Sequence, residues 1–338
     1  MGFRACRVFE DAGGVAPRLV EMDTDQLSPG DVVVHVDWSG VNFKDALALG
    51  GRGRILRRLP LNAGIDAAGV VESSKDPRFR PGDPVLMNGM GLGESHDGGF
   101  AERVRLPADW LVPLPPGLTL REAMALGTAG FTAALAIQRM ELNGQRPALG
   151  PVVVTGATGG VGSVAVSILS GRGYAVIAVS GRPQHRGYLH ALGAAEVVTP
   201  EELKLGTRPL EQARFGGAID NVGGELLAGL TRHVGFWGQI ACIGMAAAPE
   251  LAGTVFPLIL RGVSLLGISS ANCPMPLRTE VWNRLGGDLK PGRLDAILSD
   301  VVPLDGVVDA AGRLLERRAL GRILVDCGGG RHSRPAAT

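Results

Sequence analysis

Between Pro151 and Arg182 the chain places residues suited to gripping a dinucleotide. Val152, Val153 and Val154 are apolar and β-branched, the composition of a short buried parallel strand. Gly156-Ala157-Thr158-Gly159-Gly160-Val161-Gly162 follows at once, and Ser163 to Ser170 resumes with helical spacing. A second apolar run, Ala175 to Val179, completes a βαβ unit. Glycines in this order let the backbone turn tightly, bring its N–H groups against a pyrophosphate and aim the helix N-terminus at that charge. Thr155, Gly156, Gly159, Gly160 and Val161 are therefore candidate cofactor contacts. The competing reading is a glycine-rich turn without a ligand, and the strand before and helix after favour the nucleotide.

The end of the second strand selects the dinucleotide. An NAD site places an acid there for the ribose 2′-hydroxyl. Here the chain offers Ser180, Gly181 and Arg182, a hydroxyl and a guanidinium without a carboxylate. A guanidinium fork binds a 2′-phosphate through parallel charge-assisted hydrogen bonds, so NADPH is the expected cofactor. Arg186, a helical turn on, either adds charge or is an exposed helix arginine.

These residues must be carried by a scaffold, and 338 residues allow two domains with sizeable cores. Up to about Pro116 the pattern is strand-rich: Asp31 to Trp38 alternates, Ala67 to Glu72 is apolar, and Val85 to Met87 follows a Pro-Gly-Asp turn, as in a small barrel-like β domain. A helix over Arg121 to Met140 leads into the βαβ unit. Beyond it come a helix near Gln184 to Leu192, strands at Glu196 to Thr199 and Ala218 to Val222, a helix at Glu225 to His233, and strands at Gln239 to Ile243 and Ser264 to Ile268. That alternation makes a doubly wound α/β sheet. The expected division is a β-rich domain over 1–122 and 270–327, a nucleotide-binding domain over 123–269, and a disordered tail over 328–338.

Composition excludes several classes. A net charge of +1 leaves no footprint for nucleic acid or an anionic membrane. No segment approaches the length of a membrane span, and the N-terminus lacks a signal-type apolar core, so a cytoplasmic protein is expected. Cys6, Cys242, Cys273 and Cys327 lie far apart, which argues against a disulfide framework and a clustered zinc site.

With a β domain first and a nucleotide-binding domain second, the chain resembles the medium-chain dehydrogenase/reductase superfamily over nearly its whole length. The resemblance is specific to the quinone-oxidoreductase-like branch that contains the NADPH-dependent acrylyl-CoA reductases. It is carried by Val41-Asn42-Phe43-Lys44-Asp45, Gly64-Ile65-Asp66-Ala67-Ala68-Gly69, Gly127-Thr128-Ala129-Gly130-Phe131-Thr132, Ser180-Gly181-Arg182 and Gly321-Arg322. It implies a GroES-like β-barrel catalytic domain, a Rossmann domain and a homodimer, joined through the apolar edge Ser264 to Ile268. Zinc-dependent members hold catalytic metal with a cysteine at the position matching Asn42 and a His-Glu pair at Ile65-Asp66. Isoleucine cannot ligate zinc and an asparagine oxygen is a poor substitute for thiolate, so no metal is expected. The implied reaction is reduction of the C=C bond of a 2-enoyl thioester, acrylyl-CoA to propanoyl-CoA, with quinone reduction as the alternative. A non-catalytic NADPH-binding sensor or scaffold is the alternative of another kind.

Within that resemblance Asn42, Lys44 and Asp66 are the catalytic candidates. The Asn42 amide would donate to a developing oxyanion, or else satisfy neighbouring backbone. Asp66, among small and apolar residues, orients Asn42 or Lys44 or forms a buried structural pair. Phe43 stands where the family usually has tyrosine; it can pack on a nicotinamide ring but donates no proton, which leaves Lys44 or water. Lys44 is otherwise a partner of Asp45 or Asp66. Arg52, Arg54, Arg57 and Arg58 lie together without an acid, so Arg52 and Arg54 are candidates for coenzyme A phosphates, against a solvated basic loop. For Thr128 and Thr132, cofactor contact competes with capping or packing. Asn221, Gly244, Ile268 and Ser269 fall at or just beyond strand ends, where parallel sheets bind ligands, and the resemblance extends Arg278 and Arg322 toward the cofactor. His96 lacks metal-ligand companions and reads as a loop residue.

Overall fold

Short β-branched runs separated by turns build the first part of the chain. In a computed structural model describing residues 2–328, Val32–Val41 is the organising strand, with Val32, Val34 and Val36 buried and the intervening residues partly exposed. It pairs antiparallel with Asp66–Ser74, Arg103–Leu106 and Arg322–Asp326. Leu298–Pro303, Pro84–Asn88 and Val112–Pro113 complete a seven-stranded sheet. A second sheet orders Gly14–Met22, Phe3–Asp11 and Leu61–Asn62. Val8, Val71, Met87, Phe100, Val104 and Val325 belong to the core of this part.

The second part is a six-stranded parallel sheet. Its spatial order is Glu196–Val198, Val176–Val179, Val152–Thr155, Phe215–Asp220, Val234–Cys242, Ser264–Gly267. Counted from Val152–Thr155 as the first strand, that is the 3-2-1-4-5-6 order of a dinucleotide-binding sheet, whose ligands sit at the carboxyl ends where the order reverses. The doubly wound expectation is met. The fourth strand begins at Phe215, three residues before the expected start, because Gly216 and Gly217 mask it. A Cβ on Gly216 would fall 2.6 Å from the Gly150 carbonyl oxygen, so glycine is needed for that close approach.

Contacts divide the chain into two compact units. One runs up to Thr128 with Ala271–Gly287 and the chain from Leu298 on; the other comprises Ala129–Ser270 and Asp288–Ile297. Leu120–Leu142 is the helix that passes between them in sequence, and Gly127 (φ 50, ψ −153) breaks its helical geometry. Of the tail expected over 328–338, only Gly328 is among the described residues. No helix among the described residues is long and apolar enough to cross a membrane.

Candidate active site

The glycine turn of the second unit takes the shape its sequence requires. Gly156 has φ +58, and a Cβ on Gly162 would fall 2.4 Å from the Gly156 carbonyl oxygen, so the helix Gly160–Gly171 packs onto the turn only with glycine there. Gly159 caps that helix and brings no side-chain acceptor to its first N–H groups, which leaves a helix end suited to an anion. At the end of Val176–Val179, Arg182 Nε donates to Thr158 Oγ1 at 3.1 Å, the Arg182 main-chain N–H donates to Ser180 Oγ at 3.1 Å, and the Thr158 and Ser180 hydroxyls lie 3.4 Å apart. Gly181 opens beside them, with nothing within 4 Å of where its Cβ would be. Two hydroxyls and a guanidinium with adjoining space fit a phosphate. Burial pushes the Arg182 guanidinium below its ordinary value, though arginine remains charged at neutral pH.

Thr158 was not a candidate on sequence, although its place in the turn opposite a strand-end arginine was the available signal. Arg186 is engaged elsewhere: Nη1 donates to the Val197 carbonyl at 2.8 Å and Nη2 to Glu202 at 2.6 Å. Thr155 also departs from expectation. It is fully buried, and its hydroxyl donates to Asp220 at 2.7 Å while accepting from the Asn221 N–H at 2.9 Å, so its side chain ties two strands together rather than facing phosphates. Burial raises Asp220 above the usual carboxylate range. Gly244 permits a close approach, since its Cβ would lie 2.4 Å from the Asn221 carbonyl oxygen. Ile268 donates its N–H to the Cys242 carbonyl at 3.0 Å, and Ser269 is exposed.

The first unit gathers its candidates into a buried ionic cluster. Asn42 Nδ2 donates to Asp66 at 2.8 Å, with Gly40 O at 3.1 Å and Asp45 at 3.2 Å also in reach. Its Oδ1 accepts from Arg322 Nη1 at 2.9 Å. Arg322 also donates to the carbonyls of Val41 and Ala125, each at 3.0 Å, and lies 3.5 Å from Asp66. Asp66 accepts from the Thr128 hydroxyl at 2.6 Å and main-chain N–H at 3.0 Å. The Asp66 and Arg322 pair runs between two glycines. A Cβ on Gly40 would fall 2.4 Å from Arg322 Nη2, and one on Gly127 would fall 2.3 Å from Asp66 Oδ2.

This geometry sets the side-chain partners of the sequence candidates. Asn42 has two amide hydrogens and already meets three acceptors with them, so it positions Asp66, Asp45 and Arg322 rather than offering a donor to substrate. Arg322 is 2% exposed and committed to this cluster rather than to a cofactor. Thr128 caps its helix segment through Asp66. Lys44 pairs with neither Asp45 nor Asp66; its Nζ donates to Glu94 at 2.9 Å. Arg278 likewise departs from a cofactor role: it is fully buried, donating to the Asn88 carbonyl at 2.6 Å and side chain at 2.9 Å. Phe43 is 53% exposed at the start of the helix Phe43–Leu49, an available apolar face. Arg52 and Arg54 are exposed, whereas Arg58 donates to the Ser95 carbonyl at 2.9 Å and Ser28. Thr132 is buried, and His96 is a buried loop residue on the Arg105 carbonyl at 2.7 Å.

The residues at the metal positions do not fit zinc: Ile65 has no donor atom, Asn42 is hydrogen-bonded throughout, and Asp66 is paired with Arg322. Among the described residues no group of three or more His, Cys, Asp or Glu side chains is placed to hold a metal.

Asp45 is buried near Asp66, and burial, with the Asp66 charge adding to it, raises Asp45 from 3.8 to about 7. The fold therefore holds this proton more tightly than the unfolded chain does. Asp45's contribution to stability is fully present below pH 3.8 and is lost as pH rises through about 7. Asp45→Asn mimics the protonated form. Its melting temperature relative to the parent should climb between those pH values and level off above them, and a constant difference across the range would refute the assignment.

Comparison with known proteins places the whole. A family model described as an alcohol dehydrogenase GroES-like domain matches residues 28–116, and one described as zinc-binding dehydrogenase matches residues 160–285. The chain is 46% identical over 324 residues to the putative quinone oxidoreductase YhfP of Bacillus subtilis, covering 96% of this chain and 98% of that protein. The chain belongs to the medium-chain dehydrogenase/reductase family. Membership makes it an oxidoreductase. A structure of YhfP with NAD bound matches with TM-score 0.94 at 45% identity, covering 96% of this chain and 99% of that one. The yhdH oxidoreductase of Salmonella enterica, in complex with NADP, matches with TM-score 0.92 at 43% identity over 96% of this chain and 99% of that one. Acrylyl-CoA reductase AcuI of Ruegeria pomeroyi is 42% identical over 318 residues, 94% of this chain and 96% of that protein.

Proposed function

We propose that this protein uses NADPH to reduce the activated C=C bond of a 2-enoyl thioester, acrylyl-CoA to propanoyl-CoA. The observation that carries the reading is the donor set at the metal positions, where Asn42, Asp66 and Arg322 satisfy one another. Oxidising an alcohol develops charge on a single oxygen that a Lewis acid stabilises, and these side chains do not fit a metal. A conjugated thioester instead spreads the developing charge over an enolate, which asks less of the site. The relatives named acrylyl-CoA reductase support the same substrate class.

When bound, NADPH would supply the hydride that the β-carbon takes up, and the α-carbon, carrying the C=C electron pair as an enolate, would then take a proton. Thr158, Ser180 and Arg182 would hold the 2′-phosphate, and the N-terminus of Gly160–Gly171 would receive the pyrophosphate. Phe43 offers a ring face to the nicotinamide and no proton. Lys44 is held by Glu94, so water is the proton source. A second copy pairs along the edge strand Ser264–Gly267, beside exposed Trp237, Ile259 and Leu260. Ile259→Asp should then sediment as a monomer, and an unchanged dimer would refute that surface. The protein acts in the cytoplasm, without bound zinc.

The substrate is tested through Arg52 and Arg54, proposed to meet coenzyme A phosphates. Replacing both with alanine should raise KM for acrylyl-CoA by about five- to tenfold, the range of two exposed ion pairs, and weaken its salt dependence. Turnover of a simple quinone, which carries no phosphate, should not move. The YhfP name favours quinone reduction as the second reading. A parent enzyme that reduces quinones readily and acrylyl-CoA not at all would establish that reading instead.

A further inference from the structure

At the switch point of the parallel sheet, the central strand Phe215–Asp220 ends beside Asn221. The Asn221 Nδ2 donates to the Thr155 carbonyl at 2.8 Å, and its main-chain N–H donates to Thr155 Oγ1 at 2.9 Å. These bonds fix the amide, since the flipped form would set two carbonyl oxygens against each other. The other amide atom, Oδ1, is buried and accepts no hydrogen bond among the described residues. A buried acceptor left without a donor is costly, and it is compensated when a ligand donor reaches it.

Position identifies the donor. Val152–Thr155 lies between Val176–Val179, which carries Ser180 and Arg182, and Phe215–Asp220, which carries Asn221. The glycine turn that faces the pyrophosphate starts from the middle of these three strands, and a Cβ on Gly156 would lie 3.4 Å from the Asn221 Cβ. A dinucleotide whose adenosine half runs toward Arg182 must extend its other half toward Asn221. On that side the group next to the pyrophosphate is the second ribose, and its hydroxyls are donors. Resting on the NADPH reading above, we infer that Asn221 Oδ1 accepts a hydrogen bond from a hydroxyl of the nicotinamide-side ribose and thereby recognises the half of the cofactor that reacts.

Calorimetric titration of Asn221→Ala with NADP⁺ and with 2′,5′-ADP, which lacks the nicotinamide half, tests this without turnover. NADP⁺ affinity should fall about tenfold, the value of one hydrogen bond at the upper end of the neutral range, while 2′,5′-ADP binding stays at the parent level and reports an intact domain. Asn221→Ser serves the same comparison if the alanine variant misfolds. Equal losses for both ligands, or none for either, would overturn the inference. The acetylpyridine analogue of NADP⁺, which lacks the carboxamide N–H but keeps the ribose, should show the same tenfold loss; if its loss vanishes, the carboxamide is the partner and the ribose assignment fails. A parent protein that binds neither NADP⁺ nor 2′,5′-ADP would instead bring down the cofactor reading itself.

Discussion

Replacing Arg322 with methionine is expected to cost about 3–5 kcal/mol of folding stability, the range for breaking a buried pair by removing one partner. The guanidinium is 2% exposed and Asp66 is fully buried, so the change strands a carboxylate away from water. It also leaves Asn42 Oδ1 and the carbonyls of Val41 and Ala125 without the donor they share. Asp66 keeps Asn42 Nδ2 and both Thr128 donors, so the loss should stay within that range. Urea unfolding measures it through a lower midpoint at unchanged slope. The double variant Arg322→Met with Asp66→Asn should lose less than the sum of the single changes, because neither charge remains unmatched. A single-variant loss below 1 kcal/mol, or strict additivity, would contradict the cluster.

The second large effect concerns cofactor choice. Arg182→Ala should weaken NADPH binding by about 2 kcal/mol, roughly thirtyfold, in the range for a hydrogen bond to a charged group, and leave NADH nearly unchanged. Both NAD and NADP occur in structures of relatives above 40% identity, so the residues at the end of Val176–Val179 must decide. Thr158 already holds the guanidinium, and Ser180 holds the Arg182 main chain beside it, which lowers the ordering cost of meeting a phosphate. Thr158→Ala should reproduce part of the loss by freeing the arginine. Equal losses for NADPH and NADH would place Arg182 outside the 2′-phosphate site.

What the sequence made legible was local. The valine run, the glycine turn and the resumed helix declare a βαβ unit within about thirty residues, and the strand-end arginine sits where the second strand delivers it. Long-range pairing has no such signature. Arg322 meets Asn42 across 280 positions and Arg278 meets Asn88 across 190, so a local reading extends both toward the cofactor, whereas in the fold one holds the cluster around Asp66 together and the other braces a strand end. A signal was nonetheless present in Gly40, inside a strand, and Gly127, inside a helix. Glycine in either place marks a close approach, and here what approaches is the Asp66 and Arg322 pair. Lys44 found Glu94 rather than the nearer acids because Asp45 and Asp66 were already claimed inside the cluster.

The most direct test follows the hydride. Purified protein without added metal, given acrylyl-CoA and NADPH carrying deuterium at both positions of nicotinamide C4, should yield propanoyl-CoA with one deuterium at the β-carbon and none at the α-carbon by mass spectrometry and NMR. The account predicts that label and stoichiometric NADP⁺. Oxidation of NADPH with unlabelled propanoyl-CoA, or no propanoyl-CoA at all, would contradict it.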